Sequence, residues 1–267
     1  MFQRYLGIFL MFFLIILMGF SVIHLTATNP AVDIGKLIPA RQRYQTKAIC
    51  LGGKAPVSFI FDVIVDESSG NILINAGGND LNYEGVYDSA MRLVRSHDTY
   101  QNGAMVQAQE YDRREAYRGT DNRVTLNFYR ADKLIRSSLL TWDDQTVETN
   151  GLNIYLQGMA LQGTPRLDVN MLSKFRGAKY PVNIKLLADE EVGKIVITEN
   201  FKALFGASFL KDQKLLIYEL SLAGVYGVLY PHKFYFAYQK EPLGHLAGSW
   251  GGTGIDEEYY RFEFIAL

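Results

Sequence analysis

The sequence predicts a mainly β protein, with α+β left open. An N-terminal transmembrane helix is followed by tandem antiparallel β-rich modules and a short connecting helix. Three observations carry that expectation: an uncharged apolar run at the start, short apolar stretches of period two separated by Gly, Asn and Asp, and one phrase written twice. An aromatic content of 13%, mostly Tyr and Phe, suits strands better than helices.

The run Tyr5–Leu25, YLGIFLMFFLIILMGFSVIHL, carries no formal charge and only His24 near its end. At about 1.5 Å per residue it makes a helix roughly 30 Å long, the thickness of a bilayer's hydrocarbon core. The flank HLTATNPA supplies poor small residues for signal cleavage, so an uncleaved anchor is expected ahead of a cleaved signal. Arg4 favours a cytoplasmic N-terminus, whereas Lys36, Arg41 and Arg43 oppose it. A long domain can cross despite flanking charge. The expectation is therefore a single-pass protein of a bacterial inner membrane with its C-terminal bulk in the periplasm.

Residues 26–47 carry two prolines and no sustained period, and read as a tether. The first β-rich module is expected over 48–165. There Phe59, Phe61, Val63 and Val65 share one side of a strand, DESSGN turns, and Ile72 with Ile74 resume. The stretch DESSGNILI (66–74) returns as DEEVGKIVI (189–197), where Val182, Ile184, Leu186 and Ala188 precede the turn and Ile195 with Ile197 follow it. Asp bonds nearby amides and Gly supplies a positive φ, so these are the letters of a hairpin turn. Duplication and convergence on hairpin chemistry both explain the match. LNFYRADKL (126–134) and YFAYQKEPL (235–243) are weakly alike at a different offset.

Residues 166–178 are expected as a connecting helix, with Asp168 as cap, Val169, Leu172 and Phe175 on its apolar side, and Gly177 as stop. The second module spans 179–267. Within it Asn200–Leu210 has a helical stripe of Phe201, Leu204, Phe205 and Phe209, weakened by Gly206. The chain closes on a strand with Tyr260, Phe262 and Phe264 facing one way and Tyr259, Arg261 and Glu263 the other, which implies one buried and one wet face.

Chemistry-bearing patterns are few. A net charge of −1 gives nucleic acid no electrostatic footprint. Cys50 is the single cysteine, so stability rests on a hydrophobic core. AGSWG (247–251) resembles a nucleophile elbow, but no histidine and no helix follow Ser249; a glycine-rich turn reads better. The GGTG that follows precedes no helix that would hold phosphate. DLNYEG (80–85) opens like a calcium loop, yet Met91 stands where a bidentate Glu belongs. His24, His97, His232 and His245 lack metal-ligand spacing. The mixed run at 110–123 reads as a solvated hairpin face, with a docking surface as the alternative. No catalytic residue, cofactor or metal is assigned, and an enzyme is not expected, although an unrecognised class stays open. The last third crowds Tyr226, Tyr230, Phe234, Tyr235, Phe236, Tyr238 and Trp250, which form core or line an interface or apolar-ligand cavity.

The segment Tyr5–Leu25, Cys50 and FDVIVDESSGNILINAGG (61–78) make the layout similar to the FidL-like membrane proteins of enteric bacteria, over residues 1–165 at most. That resemblance implies a membrane segment followed by a small exported domain, and no active site. The chain departs from it by carrying the second copy. The function expected is that of a non-catalytic accessory factor making protein contacts in an envelope assembly. The alternative is a lipid- or other apolar-ligand-binding module of lipocalin-like or clam-like build.

Overall fold

The computed structural model describes residues 32–49, 56–78, 81–100, 111–174, 177–212, 214–251 and 258–266. The predicted anchor Tyr5–Leu25 lies outside them. No described helix is long and apolar enough to cross a membrane.

Ala31–Leu267 forms one compact unit, mainly β. A one-turn helix, α1 (Ile34–Leu37), leads into β1 (Arg41–Ile49). A meander follows through β2 (Val57–Val65), β3 (Ile72–Gly78), β4 (Leu81–Tyr87), β5 (Leu93–Tyr100), β6 (Arg113–Arg118), β7 (Arg123–Arg130) and β8 (Lys133–Thr141). Then come the short β9 (Thr146–Glu148), α2 (Leu152–Leu161), β10 (Arg166–Ser173) and β11 (Ala178–Leu186). Three small helices, α3 (Asp189–Val192), α4 (Glu199–Phe205) and α5 (Phe209–Asp212), precede β12 (Leu215–Leu222). The chain ends with α6 (Gly224–Leu229), β13 (Lys233–Lys240), β14 (Leu243–Gly251) and β15 (Glu258–Phe264).

All fifteen strands belong to a single sheet in the order β8-β7-β6-β5-β4-β3-β2-β1-β15-β14-β13-β12-β11-β10-β9. The pairs are antiparallel except β9 with β10. β1 is the seam: it pairs with β2 on one side and with β15 on the other, Tyr44 standing opposite both Phe61 and Phe264. The two flanks face each other, and one core draws on both, from Phe128 and Leu126 on one flank to Leu167, Val169 and Tyr238 on the other. The expected tandem modules are thus parts of one sheet that share its main core, and β9 of the expected first module pairs with β10 on the second flank.

Inside lies α2, buried on nearly every side through Leu152, Ile154, Leu156, Gln157, Met159 and Ala160. A helix apolar all round is a core helix. Gly158 brings it against α1, since a Cβ there would lie 2.5 Å from Ile34 Cδ1. The helix is pinned by a dry amide pair. Gln157 Nε2 donates to Gln42 Oε1 at 2.7 Å and to the Gly244 carbonyl at 2.8 Å, and Tyr44 Oη donates to Gln42 Oε1 at 2.6 Å. Burial pushes the Tyr44 hydroxyl up to about 12. A second, smaller core lies beneath α4 and α5, where Phe201, Phe205 and Phe209 surround Trp250.

Several expectations change here. The predicted tether contributes β1, whose inward positions Gln42, Tyr44, Thr46 and Ala48 are buried. Two of them are polar, so the period of two does not show as hydrophobicity. The predicted connecting helix is instead β10, whose inward positions include Leu167, Val169 and Leu172. Val169 and Leu172 are spaced for a helix as well as for an irregular strand, and the helix between the flanks is α2, inside the predicted first module.

The repeated phrase takes two conformations. In the first copy Asp66 accepts from Ser68 N, Ser68 Oγ and Ser69 Oγ, and Gly70 has φ 70°, closing the β2–β3 hairpin. Those hydroxyl and amide bonds bring the Asp66 carboxyl down to about 2. In the second copy Glu191 replaces Ser68. Its carboxylate reaches back to the Ala188 amide at 3.1 Å and to Lys185 at 2.7 Å, as a helix N-terminus requires. Asp189–Val192 is therefore helical, and Ile195 and Ile197 pack on the second core outside any strand.

The stripe at 200–210 becomes α4 and α5, broken at Gly206, whose φ is 84°. The closing strand is observed, with both faces covered: Phe262 enters the main core and Tyr259 the second one, because α4 packs over β15.

Candidate functional site

The aromatic band is divided by the sheet. Phe236 and Tyr238 fill the main core, where the Tyr238 hydroxyl donates to the Asn153 carbonyl of α2 at 2.8 Å, and Phe234 packs against the same core. Tyr235 points to the other face and stacks on Trp250 with centroids 5.6 Å apart. Alternation along β13 produces this split. Tyr226 and Tyr230 lie elsewhere, on and just after α6, exposed to solvent. Tyr226 makes an edge-to-face contact with Tyr180, their ring centroids 5.6 Å apart.

Around those two tyrosines lies the largest run of exposed apolar side chains in the described chain. Val225 is 52% exposed, Val228 80%, Leu229 64% and Tyr230 55%. From Leu222 to His232 there is no Asp, Glu, Lys or Arg. The helix is held by its own turn, with Tyr230 N donating to the Tyr226 carbonyl at 2.8 Å. It joins the end of β12 to the start of β13, the end of the sheet opposite to α1.

The strongest polar constellation is internal. Lys174, just after β10, is fully buried. Its Nζ lies 3.2 Å from Asp98 Oδ2, 3.3 Å from Glu148 Oε1 and 2.9 Å from Ser96 Oγ, and 4.5 Å from the centre of the Tyr83 ring. Arg114 grips Asp98 with Nε and Nη2 at 3.1 and 3.0 Å, and Asn150 Nδ2 donates to the same carboxylate at 3.2 Å. Tyr87 donates to Glu148 and shares a hydrogen bond with Tyr83. The backbone amide of Gly151 closes on Glu148 at 3.2 Å.

Two cations and two carboxylates balance formally. Burial works to raise the Asp98 carboxyl, but Arg114 and then Lys174 outweigh it and hold it below the ordinary carboxylate range. Burial, with the Glu148 charge adding to it, pushes the Tyr83 and Tyr87 hydroxyls well above the usual phenol range. The charged groups of the cluster are buried and bonded to one another, and Arg114 Nη1 donates further to Tyr111 Oη at 3.2 Å. What the arrangement does chemically is fasten β5 and β6 to β9 and the end of β10 across the interior, where the sheet's terminal strands β8 and β9 share no ladder.

Sequence reasoning missed this cluster. Arg114 stands in a run read as a solvated face, and Lys174 in a predicted helix. The legible signal was polar residues at inward strand positions: Ser96 and Asp98, two apart in β5, and Arg114 on the same side of β6 as Ala116. AGSWG lies inside β14 with Ser249 buried, and the part of the calcium-like stretch that is described, from residue 81, runs along β4. Cys50 is outside the described residues. Among the described residues no three His, Cys, Asp or Glu side chains converge to hold a metal ion.

No family model and no curated protein matches the chain. Among solved structures, a beta-barrel-like protein of the domain of unknown function DUF1849 from Brucella abortus is similar, with a TM-score of 0.46 and 10% identity. The alignment covers 86% of this chain and 98% of that one. A likeness that loose does not bear on function.

Proposed function

We propose that this protein is a non-catalytic contact module. Its N-terminal apolar segment holds it at a bacterial inner membrane with the sheet in the periplasm, and α6 meets a protein partner in an envelope assembly. The carrying observation is the exposed apolar run Val225, Tyr226, Val228, Leu229 and Tyr230. Leaving such a surface in water forgoes roughly 1.5–3 kcal/mol for each large side chain that a partner would cover. Its place supports the reading too: the chain leads into the sheet through α1 at one end, and α6 is displayed at the other.

The test is affinity purification of the full chain from a mild detergent extract, alongside a Val228→Asp, Leu229→Asp variant. A stoichiometric partner held by the native chain and released by the variant, at unchanged melting temperature, is the expected result. Repeated recovery of the native chain alone, or a partner indifferent to the variant, overturns the proposal.

A further inference from the structure

On the outer face of β3, β4 and β5 lies a cleft of about 290 Å³, lined by Asn75, Gly77, Asn82, Glu84 and His97. The strand register assembles it: Asn75 stands opposite Glu84 and Glu84 opposite His97, while Gly77 stands opposite Asn82. Its floor is backbone at Gly77. Other strand glycines have evident reasons. A Cβ on Gly85 would meet Tyr83 Oη at 2.2 Å, on Gly78 the Phe59 Cβ at 2.8 Å, on Gly248 the Phe205 ring at 2.4 Å and on Gly251 the Lys233 carbonyl at 2.5 Å. Gly244 has φ 83°.

Among the described residues, Gly77 meets neither constraint. Its φ is not positive, and a Cβ there would sit 3.5 Å from Asn82 Oδ1, an ordinary contact. A glycine within a strand costs about 0.5–1 kcal/mol relative to alanine, and its usual justification is close approach by a ligand or another backbone.

The lining defines what approaches. Two side-chain amides each offer a donor and an acceptor, Glu84 offers acceptors, and His97 a ring nitrogen. Glu84 lies 3.8 Å from Arg95 Nη2, and Glu115, next to His97, lies 3.8 Å from Arg113 Nε, so each carboxylate at the rim has an arginine beside it. That leaves hydrogen bonding as the chief recognition chemistry the lining offers. We infer that the Gly77 cleft binds a neutral polyhydroxylated ring, a sugar, laid flat on the glycine backbone and held at its edges by Asn75, Asn82 and Glu84. The volume, near the lower end of small-ligand pockets, suits one ring.

The test is saturation-transfer NMR on the full chain in a detergent without a sugar headgroup, with glucose, N-acetylglucosamine and an N-acetylglucosamine trimer as probes. Saturable millimolar binding is expected. Gly77→Val, which sets a branched side chain on the floor of the cleft, and Asn82→Ala should each weaken it by roughly tenfold or more, with the melting temperature of Gly77→Val equal or higher. Tighter binding of the trimer than of either monosaccharide would point to a glycan strand as the source; equal binding would point to a free sugar. No saturable signal from any probe overturns the inference, as does full binding by both variants. Neither outcome touches the reading of α6, whose residues lie elsewhere.

Discussion

Replacing Lys174 with methionine, which keeps the length of the side chain and removes its charge, should destabilise the fold by about 3–5 kcal/mol. Lys174 is fully buried, so solvent cannot take over from it. Its loss leaves Asp98 and Glu148 sharing a dry interior with Arg114 alone, and leaves Ser96 Oγ without its 2.9 Å partner. For a domain of this size the melting temperature should fall by about 10 °C. Circular dichroism melts of the full chain in mild detergent measure this.

The double variant Lys174→Met, Glu148→Gln separates charge balance from packing. It restores one cation against one carboxylate, and the Gln oxygen can still accept from Tyr87. It should therefore recover about 2 kcal/mol of the loss, a coupling within the range of contacting residues. The single variant should also meet acid sooner. Asp98 is held below its unfolded value, so its contribution is present above the unfolded carboxylate pKa and lost as pH falls through the folded one. Without Lys174 that folded value rises, and the loss begins at higher pH. A Lys174→Met cost under about 1 kcal/mol, or a double variant as unstable as the sum of the singles, refutes the reasoning.

Alkaline pH should expose the tyrosines that the core keeps neutral. Burial lifts Tyr44 and Tyr218 to about 12 and Tyr238 well above the phenol range, while an unfolded chain ionises near 10. The fold binds more protons than the unfolded chain above that point, so stability falls as pH rises from about 10 towards 12. Absorbance at the phenolate band should show a set of tyrosines ionising abruptly with unfolding; smooth titration of all tyrosines near 10 with the fold intact refutes this. The contact between α2 and α1 gives a further test. Gly158→Ala should cost about 1–3 kcal/mol through overpacking against Ile34, and adding Ile34→Val should return part of it. Additive losses in chemical denaturation would show that the two do not touch.

The β character, the first hairpin and the closing strand were legible because each depends on letters that act locally. Phe61 and Val63 alternate with outward residues, Asp66 finds its own serines, and Gly70 turns the chain, whatever lies farther away. The helical stripe over 200–210 was legible for the same reason, down to its weak point at Gly206. These elements, and the apolar length of Tyr5–Leu25, are what the sequence determined by itself.

What only the tertiary structure decided is which polar residues go inside. Gln42 and Thr46 make β1 look like a tether until Gln157 on α2 supplies the partner for Gln42. Lys174, Arg114, Asp98 and Glu148 look like surface until β5, β6, β9 and the end of β10 converge. The same holds for the repeat: like phrases made a hairpin in one place and a helical turn in the other, because the bonds of Asp66 and Glu191 depend on different neighbours. A charge or an amide is stable in a dry interior only when its complement is there too. Those complements come from distant parts of the chain, so no local reading can place them.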